Sequence, residues 1–426
     1  MELLTFPLPL IIVRGGANPI FREHAPLPAF DSTPGVGDRQ PAPMARSLPI
    51  EASTAPRTAN MSDPSSDSVN EPKDEAAPVA DGGAVAGPID FSGSSLGLEK
   101  HFAASAQDMV ALSCERGDEP TAADPSEPLA AKIASISFGD RVFFLPSEEE
   151  AWRYAIETIR RYHRLVGRPK RRRLVVCAGA SGEAGGLPPG LESDGEVVLL
   201  QTDDPIALTT EIDNRTAAIL IAPVRTKSGF EVVPGRLLAR LRETADEYGL
   251  ALVYDESACG FGRSGMFWAH EWTGVTPDVM VALHRRGDAS SLATVIVTQK
   301  MARGAPERPL LVEGAALRSG RAAVDALMSR GFLERAQNRS WRLEDRLLEL
   351  FYKRRGAFTA LSGIGLMQGL ECPEEAEPMR ARLAECGLLT RAMGSFLGLF
   401  PGLAVAESEI DAAVSIIDSV CARETR

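Results

Sequence analysis

"LALVYDESACGFGRSGMFWAHEWTGVTPDVMV", residues 250–281, holds the pattern that decides the fold. Leu250 to Tyr254 is a short, unbroken apolar run, the mark of a strand buried on both faces. Asp255 closes it as a carboxylate at the strand's carboxyl end. Gly260, Gly262 and Gly265 then surround Phe261 and Arg263, which predicts a turn whose geometry depends on glycine. A second buried strand opens after Pro277 and Asp278 and runs toward His284, in "PDVMVALHRRGDASS" (277–291).

Working outward, runs of the same kind recur. They are "RVFFL" (141–145), "RLVVCAG" (173–179), "EVVLLQ" (196–201), "AAILIAPV" (217–224) and "ATVIVT" (293–298). Helical stretches lie between some of them. "SEEEAWRYAIETIRRYHRLVG" (147–167) puts Ala151, Ala155, Ile159 and Tyr162 on one stripe with charge opposite. Residues 235–248 read as another helix, and "EPLAAKIASI" (127–136) as a third. Alternating strand and helix predicts an α/β fold, a mostly parallel, doubly wound sheet with right-handed crossovers. From Phe332 onward the pattern changes to a long charged helix (332–356), "GIGLMQGLEC" (363–372), a helix at 376–386 and a last helix at 407–422. That predicts a small C-terminal α+β unit. The expected division is a disordered low-complexity tail over 1–87, a large α/β domain over 88–310, and an interface helix with the small domain over 311–426.

The chain has 426 residues, 44% of them hydrophobic, and a net charge of −12. That supports a sizeable core and gives no overall electrostatic attraction to nucleic acid or anionic lipid. The run Lys170-Arg171-Arg172-Arg173 is read as a solvated turn before a strand rather than a nucleic-acid patch. Six cysteines form no C-x-x-C pair and five histidines are scattered, so no metal site and no disulfide framework is expected. This points to a reducing cytoplasm. The apolar stretch Leu3–Val13 is too short to span a membrane and has no basic residue before it. "MSDPSSDSVNEPKDEAAPVADGG" (61–83) cannot bury enough apolar surface to offset the entropy of ordering. Met44 and Met61 are alternative starts.

The stretch 250–281 resembles the class III (fold type I) pyridoxal-phosphate-dependent aminotransferases, and is closest to their acetylornithine branch. The likeness rests on an aspartate at a strand end, then G-F-G-R-S-G, an aromatic run and G-V-x-P-D. It extends in order through "IDFSGSSLG" (89–97), "RVFFLPSEEEAWRYAIETIRRYH", "TAAILIAPV", "GFLERA" (331–336), "GIGLMQGLE" and "LGLFPGLAVAESEIDAAVSIID" (397–418), covering about residues 88–426. The resemblance implies that family's fold, its dimeric assembly and its place in arginine metabolism.

It also implies a site, and there this chain departs. The cofactor asks for an amine to form a Schiff base, a carboxylate at the pyridine nitrogen, an aromatic face and a phosphate cradle. By spacing from Pro277-Asp278, the lysine position is His284, whose imidazole cannot form the imine. Lys227 and Lys300 are the nearest lysines in sequence. The family's Ser-Gly-Thr or Ser-Gly-Ala cradle reads Ser147-Glu148-Glu149-Glu150 here. Ser147 is the one weak cofactor-binding candidate in it, with helix capping as its alternative role. A carboxylate about 4 Å from a phosphate charge costs roughly 4 kcal/mol at an effective dielectric near 20. The aromatic clamp aligns with Ser181-Gly182-Glu183, the partner threonine with "PERPLLVEG" (306–314), and the substrate-carboxylate arginine with Gly398. Asp255 alone survives, as a vestigial pyridine-nitrogen partner.

The expectation from these losses is a degenerate site, with no catalytic residue and no cofactor predicted. The chain then reads as a pseudoenzyme that keeps the fold and acts as a homodimer, or as a heterodimer with a related aminotransferase that it tunes. Two alternatives stand beside it. One is an active transaminase of acetylornithine or 4-aminobutyrate type. The other is a sensor holding a small amine in the vacated cleft near Asp255, Glu148 and Glu149. His284 has a further reading as an exposed or hydrogen-bonded residue at a strand end, and Cys259 as a buried packing residue.

Overall fold

The computed structural model describes residues 88–93, 126–178, 187–201, 204–226, 229–286, 290–307, 312 and 314–424. All fall in one of the chain's two structural units; the other, Ala17–Ala84, lies outside the described residues, as does the expected tail over 1–87.

In chain order the first elements are β1 (Ile89–Asp90), α1 (Glu127–Ser135), β2 (Arg141–Leu145) and α2 (Glu148–Leu165). Next come β3 (Arg173–Cys177), β4 (Val197–Leu200), α3 (Pro205–Glu211), β5 (Thr216–Ile221), β6 (Val224–Arg225), β7 (Glu231–Val232) and α4 (Gly235–Tyr248). β8 (Ala251–Glu256), a 3-10 turn (Ala269–Trp272), β9 (Val279–Arg286), β10 (Ser290–Val297), α5 (Gln299–Ala302), α6 (Gly314–Met328) and α7 (Phe332–Lys353) follow. The chain closes with β11 (Ala360–Ile364), β12 (Met367–Glu371), α8 (Glu377–Glu385), β13 (Leu388–Leu389), β14 (Arg391–Met393), β15 (Phe396–Leu399) and α9 (Glu407–Glu424).

Seven strands form the main sheet in the order β2-β10-β9-β8-β5-β3-β4. All neighbours on the β9-β8-β5-β3-β4 side pair in parallel, and β10 alone runs antiparallel to both β9 and β2. The link from Arg286 to Ser290 is too short for a crossover helix, which forces that reversal. The sheet is therefore the mostly parallel α/β sheet expected. A second, four-stranded sheet, β11-β12-β15-β14, is antiparallel throughout.

Period-two alternation explains the unbroken apolar runs. In β8, Leu252 and Tyr254 join one core cluster with Leu238, Leu241 and Ala245 of α4. Ala251 and Val253 join the other, with Ala155 and Ile159 of α2. Both faces are covered, so both sets of side chains must be apolar. The stripe read on α2 is buried as expected at Ala151, Ala155 and Ile159, with Tyr162 packed at its edge. α7 stops at Lys353, before the expected 356, because the backbone leaves helical geometry at Arg354 and Gly356 takes a φ of 103°.

Arg171 and Arg173 of the basic run are structural. Arg171 donates to the carbonyls of Gly249 (2.6 Å) and Tyr248 (2.9 Å), and Arg173 pairs with Glu211 and Asp213. Asp278 anchors the amino ends of β8 and β9, accepting from the Leu252 N–H and from Arg242, both at 2.9 Å. The five described cysteines are free thiols.

One glycine sets the seat of α5 on α2. A Cβ built on Gly304 would lie 2.1 Å from the Thr158 carbonyl oxygen and 2.6 Å from the Tyr162 nitrogen. Neither backbone atom can move without bending α2. Gly304→Ala is expected to destabilise the protein by about 2 kcal/mol through overpacking, read as a lower urea midpoint at unchanged m-value.

Candidate functional site

The carboxyl ends of parallel strands are where open α/β sheets hold ligands. Here that edge carries Asp255 and Glu256 from β8 and His284 from β9. Register places Asp255 beside Val281 and Glu256 beside Ala282.

Asp255 is 9% exposed. Its Oδ1 accepts from the Ser257 N–H (3.0 Å) and the Ser257 hydroxyl (2.6 Å), so the turn that follows the strand orients it. Glu256 is fully buried. It accepts from the N–H groups of Ala269 (2.8 Å) and His270 (2.9 Å), and from Nδ1 of His270 at 2.7 Å. Three donors on one carboxylate tie the end of β8 to the 3-10 turn. Sequence reasoning passed over this pair. A glutamate in an apolar strand with a histidine after the following turn was the available signal.

Cys259 is fully buried, and burial pushes its thiol well above the ordinary value, with Glu256 and Asp255 adding to the shift. It is a packing residue, as expected. Gly262 holds φ 81°, and a Cβ there would meet Leu327 at 2.5 Å. Shape and packing both demand glycine.

His284 is 5% exposed, neither solvent-facing nor free. Its Nε2 lies 3.1 Å from the Ser319 hydroxyl on α6. Its ring stacks on Phe261 at 5.6 Å with an interplanar angle of 18°. Phe261 in turn contacts Phe267 and Trp268. The imidazole is thus a member of an aromatic cluster at the end of β9.

Lys300 sits at the other end of the sheet. Its Nζ lies 3.8 Å from Asp278 and over the Tyr162 ring. It cannot stand in for an amine at residue 284. Lys227 lies outside the described residues, as do Ser181, Gly182 and Glu183 and most of 308–313.

Ser147 is the N-cap of α2, its hydroxyl accepting from the Glu150 N–H at 3.2 Å. Glu148, Glu149 and Glu150 fill the first turn, and Glu149 and Glu150 both pair with Arg153. The helix's positive end is therefore answered by its own residues. At Gly398, a Cβ would meet the terminal methyl of Met393 at 2.7 Å and the Phe400 ring at 3.0 Å, so a larger residue there requires those side chains to shift.

Comparison with known proteins follows the same outline. The model of the aminotransferase class-III family matches residues 196–421. The acetylornithine aminotransferase of Mesorhizobium japonicum is 34% identical over 310 residues, 68% of this chain and 76% of its own length. That of Brucella melitensis is 30% identical over 318 residues, 70% of this chain and 78% of its own. Among solved structures, N-acetylornithine aminotransferase from Stenotrophomonas maltophilia superposes with a TM-score of 0.61 at 25% identity, over 71% of this chain and 80% of that one. Plasmodium falciparum ornithine delta-aminotransferase superposes at 0.67 and 18% identity, over 79% of this chain and 88% of that one, a likeness of fold.

These matches overturn one expectation. No cofactor was predicted, yet the matched family works with pyridoxal phosphate. A missing amine does not entail a missing cofactor. A pyridoxal ring is also held through its nitrogen, and Asp255 stands buried at a strand end as a carboxylate able to do so. Among the described residues, that is the point at which they fit the group. Residue 284 brings no primary amine, and the hydroxyl of Ser147 is engaged in capping α2.

Proposed function

The chain belongs to the class III aminotransferases, and from that premise we propose that it is a non-catalytic member acting by association, with a second copy or with a related aminotransferase subunit whose activity or stability it tunes. The observation that carries this reading is the packed imidazole of His284, bonded to Ser319 and stacked on Phe261. A reactive amine needs reach and a free terminus. This side chain has neither the chemistry nor the freedom. The self-satisfied N-terminus of α2 supports the same reading. Selective loss of chemistry with retention of strands and core is what a scaffold role requires.

A second reading is a transaminase of acetylornithine or a similar amine, and Asp255 together with the relatives' names favours it. One experiment separates the two. The purified chain is assayed with acetylornithine and 2-oxoglutarate in excess pyridoxal phosphate, and its native mass is measured alone and mixed with an acetylornithine aminotransferase. The scaffold reading expects no turnover and a dimer or mixed assembly. Turnover that disappears on Asp255→Asn establishes the transaminase instead. A monomer that joins no aminotransferase sinks the scaffold.

A further inference from the structure

A groove of about 330 Å³ runs between the outer face of α2 and the segment at residues 190–194. Neither Asp255 nor His284 lines it. Arg172 and Asp194 on its wall precede β3 and β4, so it lies at the amino ends of parallel strands whose carboxyl ends face the candidate site.

Its lining is unusual for an acidic chain. Arg153, Arg160, Arg161, Arg164 and Arg172 line it against two carboxylates, Glu157 and Asp194, while the whole chain carries −12. The floor is apolar, formed by Ile156 and Leu191, both buried.

The arginines divide into two sets, three in ion pairs and two outside them; Arg153 pairs with Glu149 and Glu150, and Arg161 with Glu157. Arg160 is held rigidly, its Nε donating to the Arg172 carbonyl at 2.9 Å and its guanidinium paired with Asp194 at 2.8 Å. It supplies a fixed wall. Arg164 and Arg172 are exposed and pair with no carboxylate among the described residues. Neither forms an ion pair in the groove, although the Arg172 charge helps hold the Asp194 carboxyl below its ordinary value. The run at 170–173 thus splits in function, with Arg171 and Arg173 bonded into the fold and Arg172 turned to the groove.

We propose that this groove binds a small multivalent anion, a phosphate or carboxylate compound of charge −2 or more. The planar forks of arginine match both anion types bidentately. The volume is at the small end of ligand sites, which suits a compact polyanion. Among the described residues no aromatic side chain lines it, so there is no stacking platform of the kind that single-stranded nucleic acid uses. The charge of the whole chain also opposes a polyanionic strand.

The test is a thermal-shift and calorimetric titration of the full chain with inorganic pyrophosphate and, separately, with citrate, at constant ionic strength and against chloride. Saturable binding of pyrophosphate alone assigns a phosphate ligand, of citrate alone a carboxylate, and of both a general polyanion site. All three support the proposal. The double variant Arg164→Gln/Arg172→Gln removes two exposed side chains outside any ion pair and keeps the fold. It is expected to weaken binding about tenfold or more, since a hydrogen bond to a charged group is worth that much. Arg321→Gln, on α6 and outside the groove, is expected to leave it unchanged. Failure of both anions to bind saturably, equal binding by the double variant, or binding of a single-stranded oligonucleotide alone overturns the proposal.

Discussion

Borohydride reduction of the protein in excess pyridoxal phosphate is expected to leave residue 284 unlabelled, and the same treatment of His284→Lys to attach the ring there. A stable, neutral C=N bond needs a nitrogen that can give up two protons, and an imidazole nitrogen has at most one. The position itself remains well placed, at the end of β9 beside Leu292 of β10 and on the edge that carries Asp255. The variant loses the bond to Ser319 and the stack on Phe261, which frees a flexible side chain to reach. Peptide mapping reads the result directly. Turnover by the natural chain is expected at least about 10⁴-fold below the roughly 10 s⁻¹ typical of enzymes. In the lysine variant it is expected to rise but stay low, because Glu148 to Glu150 fill the first turn of α2, where the family resemblance puts the phosphate. Stoichiometric labelling of one other lysine in the natural chain, with turnover, would contradict the reading of a non-catalytic scaffold.

Glu256→Ala is expected to be the most destabilising single change at the site, by about 3–5 kcal/mol, the cost of breaking a buried charged network. It strands the N–H groups of Ala269 and His270 and the ring of His270, all buried. At about 2–4 °C per kcal/mol for large domains, the melting temperature should fall by roughly 10 °C. Asp255→Asn, one residue earlier, is the contrast. Asp255 orients the short Ser257 turn, and an amide oxygen can still accept there, so about 1 kcal/mol is expected. Thermal unfolding of the pair checks both. Equal losses would show that Asp255, too, belongs to the structural framework.

The contrast between these neighbours shows what could be read from the sequence. Asp255 stood out because a carboxylate ending an apolar strand has a known use. Glu256 did not, because its partners come from a turn more than ten residues on, and only folding brings Ala269 and His270 to it. His284 stood out by residue type alone, an imidazole at a position where an amine belongs. That it is packed against Phe261 and Ser319, rather than exposed among arginines, depended on α6 packing on β10 and bringing Ser319 to the ring. The arginine groove escaped notice for a similar reason. Its side chains come from α2, from the turn before β3 and from the loop before β4, and the basic run drew attention to Lys170–Arg173 as one unit.

Local chemistry alone determined the strands, the helical stripe of α2 and the imidazole in place of an amine at residue 284. Each of these rests on residue type and on a period of two or 3.6, which a linear chain already carries. Tertiary structure alone decided that Glu256 is bound into the 3-10 turn, that the imidazole is packed, and that five arginines share one groove. Those are matters of which distant segments meet across a sheet, and burial and pairing exist only once they do.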